Sequence, residues 1–223
     1  MSAAAGTAGA LDDATVLLAL PAGRRRRPYR RGVTQLDFLG PAIPPLPDGF
    51  RYEPEFLAPA EESDLLEFIR SLRFEAAQYL QWEAKRRIVS YGGRYDFTAQ
   101  ALGEAPPIPD ALQPLRDRIA QWTQVAPADY SHALIAEYLP RTPLGWHRDV
   151  PDFEQVAGVS LLGSARMRLR PYPPAAGQRA TTVLDLPPRS AYAMAGPARW
   201  AWQHAISPTK ELRYSITFRT LRG

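Results

Sequence analysis

Between residues 60 and 72 apolar side chains recur at helical spacing. Leu65, Leu66, Phe68, Ile69 and Leu72 fall on one face, with Glu61, Glu62 and Asp64 ahead of them. Negative charge suits the unpaired N–H groups at the front of a helix, so the pattern predicts a helix beginning near Ala60. A second helix is expected from Asp110 to Gln124. Pro109 and Asp110 mark its start, and Leu112, Leu115, Ile119 and Trp122 form its apolar face. Before the first helix, Phe38–Phe56 is Pro-rich and reads as extended chain. From about residue 130 the period changes. Short apolar runs separated by Pro and Gly cover His132–Leu139, Gly145–Arg148, Ala157–Leu162, Met167–Arg170, Thr181–Leu186, Ala191–Ala195, Trp200–Ile206 and Arg213–Leu221. Strict alternation in Arg166-Met167-Arg168-Leu169-Arg170 is the signature of a half-buried strand. Several short strands at close spacing point to a β-sandwich or barrel, so the chain reads as α+β, mainly β.

Composition narrows this picture. The chain has 223 residues, 45% of them hydrophobic, which suffices for one well-formed core. It has no Cys, which excludes disulfides, thiolate metal sites and Cys nucleophiles. No apolar run is long enough to span a bilayer. Ala14–Ala22 is apolar but short and follows Asp12 and Asp13 instead of basic residues, so a secretory signal is not expected. The expected location is cytoplasmic, or nuclear in a eukaryote. The net charge of +4 sits in residues 1–31, which hold six Arg against two Asp; the remainder is balanced. Residues 1–35 are therefore read as a basic arm, with Arg24–Arg31 suited either to non-specific phosphate binding or simply to solvation. Residues 36–223 are read as one domain.

The candidate chemistry lies in the β half. The only histidines are His132, His147 and His204. In Gly145-Trp146-His147-Arg148-Asp149 an imidazole and a carboxylate stand two apart, and on a strand such side chains share a face. Alone, His-x-Asp is a common accident. With the distant His204 it makes two His and one carboxylate, a facial set that leaves three coordination positions open, as non-haem Fe(II) oxygenases require. Arg213 and Arg219 stand an even number of residues apart in Arg213-Tyr214-Ser215-Ile216-Thr217-Phe218-Arg219. On a straight strand they share a face about 20 Å apart. They are either solvated surface residues or a means of clamping a dicarboxylate.

Taken in order, His147-Arg148-Asp149, Gly196-Pro197-Ala198-Arg199-Trp200, His204 and the Arg213–Arg219 ending resemble the AlkB family of Fe(II)/2-oxoglutarate dioxygenases over roughly residues 50–221. Tyr138 and Ser90-Tyr91-Gly92-Gly93-Arg94-Tyr95 add to the likeness, the latter resembling the family's substrate lid. The resemblance implies a double-stranded β-helix, or jelly roll, with the N-terminal helices packed against it. It implies Fe(II) on His147, Asp149 and His204, with 2-oxoglutarate and O2 as cosubstrates. Arg213 would hold the distal carboxylate of 2-oxoglutarate, assisted by Tyr138 and Ser215, and Arg219 would support the metal end. Ala136 stands where the family usually has Asn, Ser215 replaces a common Asn, and Pro151 stands where several members have an acid. The implied reaction is oxidative demethylation of N-alkylated nucleobases in DNA or RNA, releasing formaldehyde, succinate and CO2.

A base in a duplex must be flipped out or already single-stranded, and needs aromatic surfaces and backbone cations. Tyr91, Tyr95, Trp82 and Trp146 are the aromatic candidates. Arg86, Arg87, Arg94 and the arm are the cationic ones. Two alternatives stand beside this reading: the same iron chemistry on a protein side chain or small molecule, and a non-catalytic nucleic-acid-binding module. Nothing implies a membrane or an obligate protein partner.

Overall fold

A computed structural model describes residues 43–79, 82–96 and 101–223. The basic arm expected at residues 1–35 lies outside the described residues. Chain order is β1 (Phe50–Glu53), α1 (Pro59–Arg70), β2 (Glu75–Tyr79), β3 (Trp82–Tyr91), β4 (Arg94–Asp96), β5 (Ala101–Gly103), α2 (Gln113–Thr123), β6 (Tyr130–Tyr138), β7 (Leu144–His147) and β8 (Phe153–Leu161). There follow β9 (Ala165–Pro171), β10 (Thr182–Leu186), β11 (Ala191–Met194), α3 (Gly196–Trp200), β12 (Trp202–Ile206) and β13 (Arg213–Leu221). The strands form the two antiparallel sheets of a jelly roll: a larger one ordered β1-β11-β8-β13-β6-β3-β2 and a smaller one ordered β10-β9-β12-β7. β4 and β5 pair separately.

Local signals explain the helices. Pro59 opens α1, where its missing N–H is no loss, and the Glu61 carboxylate accepts a hydrogen bond from the Ala58 N–H at 2.7 Å. The second predicted helix divides: Asp110–Leu112 is a 3-10 turn, and α2 proper begins at Gln113 with Pro114 in its first turn. The expected strand at Trp200–Ile206 begins only at Trp202, because Gly196–Trp200 winds into α3.

β13 organises the interior. It lies between β6 and β8 and alternates strictly. Tyr214, Ile216 and Phe218 face one cluster with Leu65, Leu66 and Ile69 of α1 and Leu115 and Ile119 of α2. Each such side chain contributes about 1.5–3 kcal/mol by leaving water. The intervening Arg213, Ser215, Thr217 and Arg219 therefore point the other way, into the space between the sheets. There a second cluster draws Val156, Tyr192 and Met194 from the larger sheet together with Met167, Leu169, Leu184, Leu186 and Ile206 from the smaller. Glu62 ties α1 to the sheets by accepting from the Leu162 N–H at 2.8 Å.

Candidate metal centre and cosubstrate pocket

His147 and His204 stand directly opposite each other on β7 and β12, with ring centroids 4.2 Å apart. The His147 Nδ1 lies 2.9 Å from the Gly145 carbonyl. That contact places a proton on Nδ1 and leaves Nε2 free for a metal. Asp149 completes the set: its Oδ2 is 3.8 Å from His204 Nε2, and one ligand atom from each of the three residues lies within 4.8 Å of the others. The triad forms by a different route from the one expected. β7 ends at His147, so Asp149 is not a strand residue sharing its face. It sits on the loop that follows, before Pro151, which has no N–H to continue a ladder.

Arg199 holds that loop. From α3 its buried guanidinium donates to the carbonyls of Asp149 at 3.1 Å, Val150 at 2.7 Å and Phe153 at 2.8 Å. Arg219 fixes the carboxylate itself, with Nε donating to Asp149 Oδ1 at 2.8 Å. Burial pushes the Asp149 carboxyl up, but Arg219 and then the two imidazoles outweigh it and hold the group well below the usual carboxylate range. Burial pushes His204 down to about 3 and lowers His147 as well. An ionised carboxylate and two neutral imidazoles are the donor set that a divalent first-row metal takes.

At the other end of β13, Arg213 is 2% exposed. Its Nε donates to Ser160 Oγ at 3.0 Å, its guanidinium lies 4.9 Å from the Tyr138 ring centroid, and its Nη1 is buried with no hydrogen-bond partner. Ser215 lies on the same face, opposite Ala136 and Ser160. Tyr192 completes the wall by lying across Gly158, where an added Cβ would stand 2.6 Å from its ring. Burial raises its hydroxyl to about 12, so it stays protonated and able to donate. An orphaned buried guanidinium nitrogen beside hydroxyl groups fits a carboxylate.

Of the residues expected to meet substrate, two turn away from the space between the sheets. Trp146 alternates with His147 and so faces outward, between Arg168 and Arg170. Tyr91 is no loop residue. It closes β3 opposite Ala133 and packs on the helix-side cluster. Arg94 and Tyr95 lie on β4, and their side chains, like that of Trp82, lie outside the described residues. Arg87 is ion-paired with Glu137 at 2.6 Å. Ser160, Tyr192 and the tethering role of Arg199 carried no recognisable sequence signal, being single polar groups in apolar or irregular runs.

Residues 50–219 match the 2OG-Fe(II) oxygenase superfamily. The chain belongs to this superfamily. Within it the chain is AlkB-like. It is 29% identical over 178 residues to the "Alkylated DNA repair protein ALKBH8 homolog" of Arabidopsis thaliana, covering 69% of this chain and 49% of that one. It is 25% identical to the "tRNA (carboxymethyluridine(34)-5-O)-methyltransferase ALKBH8" of Mus musculus, covering 82% of this chain and 28% of that one. The chain thus spans about half the plant relative and less of the mouse one. Among solved structures, OsALKBH1 superimposes with a TM-score of 0.63 at 16% identity, over 79% of this chain and all of that one. A prolyl-4-hydroxylase of Pseudomonas putida superimposes at 0.54 and 14%, over 78% and 93%. These two likenesses show the fold.

The enzyme is a dioxygenase that uses Fe(II), 2-oxoglutarate and O2. His147, Asp149 and His204 would hold the iron, and Arg213, Tyr138 and Ser215 share one buried face on which a carboxylate of the cosubstrate would fit. Bound there, iron with its cosubstrates would supply the oxidising power for hydroxylating a C–H bond. This chain's residues fix the ligand carboxylate through Arg219 and keep both imidazoles neutral by burial.

Proposed function

We propose that this dioxygenase demethylates N-alkylated bases in nucleic acid. Hydroxylation of the N-methyl carbon gives a hydroxymethyl group that breaks down to formaldehyde and the unmodified base. One observation favours the reading: the outer face of the sheet that carries His147 and His204 is basic and aromatic. Trp146 and Arg148 flank the ligand His147 in sequence. Arg170 and Arg168 lie 4.2 and 5.1 Å from the Trp146 ring, and Arg148 lies 3.8 Å from the Tyr172 ring. Among the described residues none of these three arginines has a carboxylate partner. Cations held on aromatic faces and left without acids suit a phosphate backbone. The name of the plant relative, an alkylated DNA repair protein homolog, supports the same reading.

The test is to incubate the protein, Fe(II), ascorbate and 2-oxoglutarate with N-methylated single-stranded DNA, duplex DNA and RNA, and to measure formaldehyde and base identity by mass spectrometry. The expected result is repaired base on at least one polymer, with turnover reduced about tenfold or more in Arg168→Glu/Arg170→Glu and 2-oxoglutarate binding unchanged. Formaldehyde no higher than in Asp149→Ala on every polymer would sink the proposal.

A further inference from the structure

Tyr138 has a second arginine against it. β3 and β6 pair with Ile88 opposite Ala136 and Arg87 opposite Glu137, so continuing the register sets Arg86 beside Tyr138. Alternation sends the two neighbours opposite ways. Arg87 turns to Glu137, whose other oxygen meets the Tyr214 hydroxyl on the helix side. Arg86 turns inward, to the face that carries Ala136 and Tyr138. Burial raises the Tyr138 hydroxyl, but Arg86 and Arg213 together outweigh it and lower it, so both guanidinia lie against this one phenol.

Both arginines are unfinished. Arg86 Nε and Arg213 Nη1 are buried with no hydrogen-bond partner, and among the described residues neither guanidinium has a carboxylate. Two cations beside one phenol repel, the more so where their nitrogens are buried, and an anion between them relieves the repulsion. Asp149 does not serve, because Arg219 and the metal site take its two oxygens. Ala136, on the same face, offers no polar group. A carboxylate has about four acceptor positions for its two oxygens, enough for two guanidinia and a phenol.

We propose that Arg86 is a second cosubstrate-binding arginine, which with Arg213 and Tyr138 forms the socket for the distal carboxylate of 2-oxoglutarate. This rests on the cosubstrate chemistry of the superfamily and is independent of the nucleic-acid reading. The socket also selects: a 2-oxo acid of the same length without the second carboxylate leaves both guanidinia uncompensated.

The experiment is an anaerobic titration of the Fe(II)-loaded protein with 2-oxoglutarate and, separately, with 2-oxovalerate, followed by the metal-to-keto-acid absorption band and by calorimetry. Arg86→Gln is expected to weaken 2-oxoglutarate binding tenfold or more and to change 2-oxovalerate binding less than twofold. Arg86→Lys, which keeps the charge but loses the planar fork, should fall between, and it serves alone if the glutamine variant does not fold. Equal weakening of both acids would show that Arg86 only supports the wall. Unchanged binding of both, or a wild-type protein that binds neither acid, would overturn the proposal too, whatever the outcome of the nucleic-acid assay.

Discussion

Arg213 and Arg219 stand on one strand and face, six residues apart, and both are largely withdrawn from water. Arg219 is complete within the protein: its Nε holds Asp149 Oδ1 at 2.8 Å, and its Nη1 lies 3.5 Å from His132 Nδ1. Arg213 is not complete. One nitrogen reaches Ser160, and Nη1 reaches nothing. The difference separates two roles for the same side chain. At the metal end the charge organises a ligand the chain already owns. At the far end a buried donor is left without an acceptor, as the proposed carboxylate socket requires.

Breaking the closed end should have the largest effect. Asp149→Ala removes the only carboxylate of the triad and leaves Arg219 buried beside two imidazoles. Removing one partner of a buried pair costs about 3–5 kcal/mol of stability. Iron binding should be lost, and 2-oxoglutarate decarboxylation should fall about a thousandfold or more. Calorimetric iron titration and succinate release check this; iron still bound at near wild-type affinity would refute the triad. Arg213→Met breaks the open end instead. Loss of a charged partner there should weaken 2-oxoglutarate by about 2–4 kcal/mol, roughly 30- to 1000-fold. The cosubstrate-free protein should be no less stable, because an orphaned buried cation has gone. Melting temperatures measured without 2-oxoglutarate would therefore part the two arginines: Arg219→Met low, Arg213→Met at or above wild type.

A smaller effect is expected at Arg199, which touches no ligand side chain but grips three carbonyls of the loop that presents Asp149. Groups that orient metal ligands contribute about 10- to 100-fold in affinity. Arg199→Lys, whose shorter side chain draws the donor back from the three carbonyls, should weaken iron by a factor in that range while leaving 2-oxoglutarate affinity of the loaded protein within about threefold. Equal iron affinity in variant and wild type would mean that the loop holds its shape without this arginine.

The sequence made some of this legible and hid the rest for physical reasons. The triad and the Arg213–Arg219 strand were readable because they combine rare residue types with fixed spacing. The jelly roll followed from short alternating runs and from resemblance. The loop position of Asp149 was not readable, since two-residue spacing fits a strand or the turn after one. The outward turn of Trp146 and the helix-side turn of Tyr91 were not readable, because an aromatic beside a functional residue carries no mark of which face it takes. On β7 alternation sends Trp146 away from His147, and on β3 it sends Tyr91 towards α1 and α2. In sequence Arg86 groups with Arg87 as a cation for the nucleic-acid backbone, and only the register with β6 turns one inward and the other out.

The closed end also leaves a trace in pH dependence. His132 is 4% exposed, and its pKa is pushed down to about 3, first by burial and then by Arg219, against the opposing pull of Asp149. In the unfolded chain it titrates near 6.5. Its folded value is depressed, so between those limits the unfolded state binds the extra proton. The stability it contributes is complete above pH 6.5 and declines as the pH falls towards 3. A drop from pH 7.5 to 5.5 should remove about 1.4 kcal/mol on its account. His204, with the same direction, adds to the loss in metal-free protein, whereas Asp149 titrates too low to contribute in this interval. Urea unfolding of metal-free wild type and His132→Asn at the two pH values isolates the term. The variant should lose less stability between them by about that amount. An identical pH dependence would mean that a proton on His132 is accommodated beside Arg219, and the metal end would then be less closed than its hydrogen bonds imply.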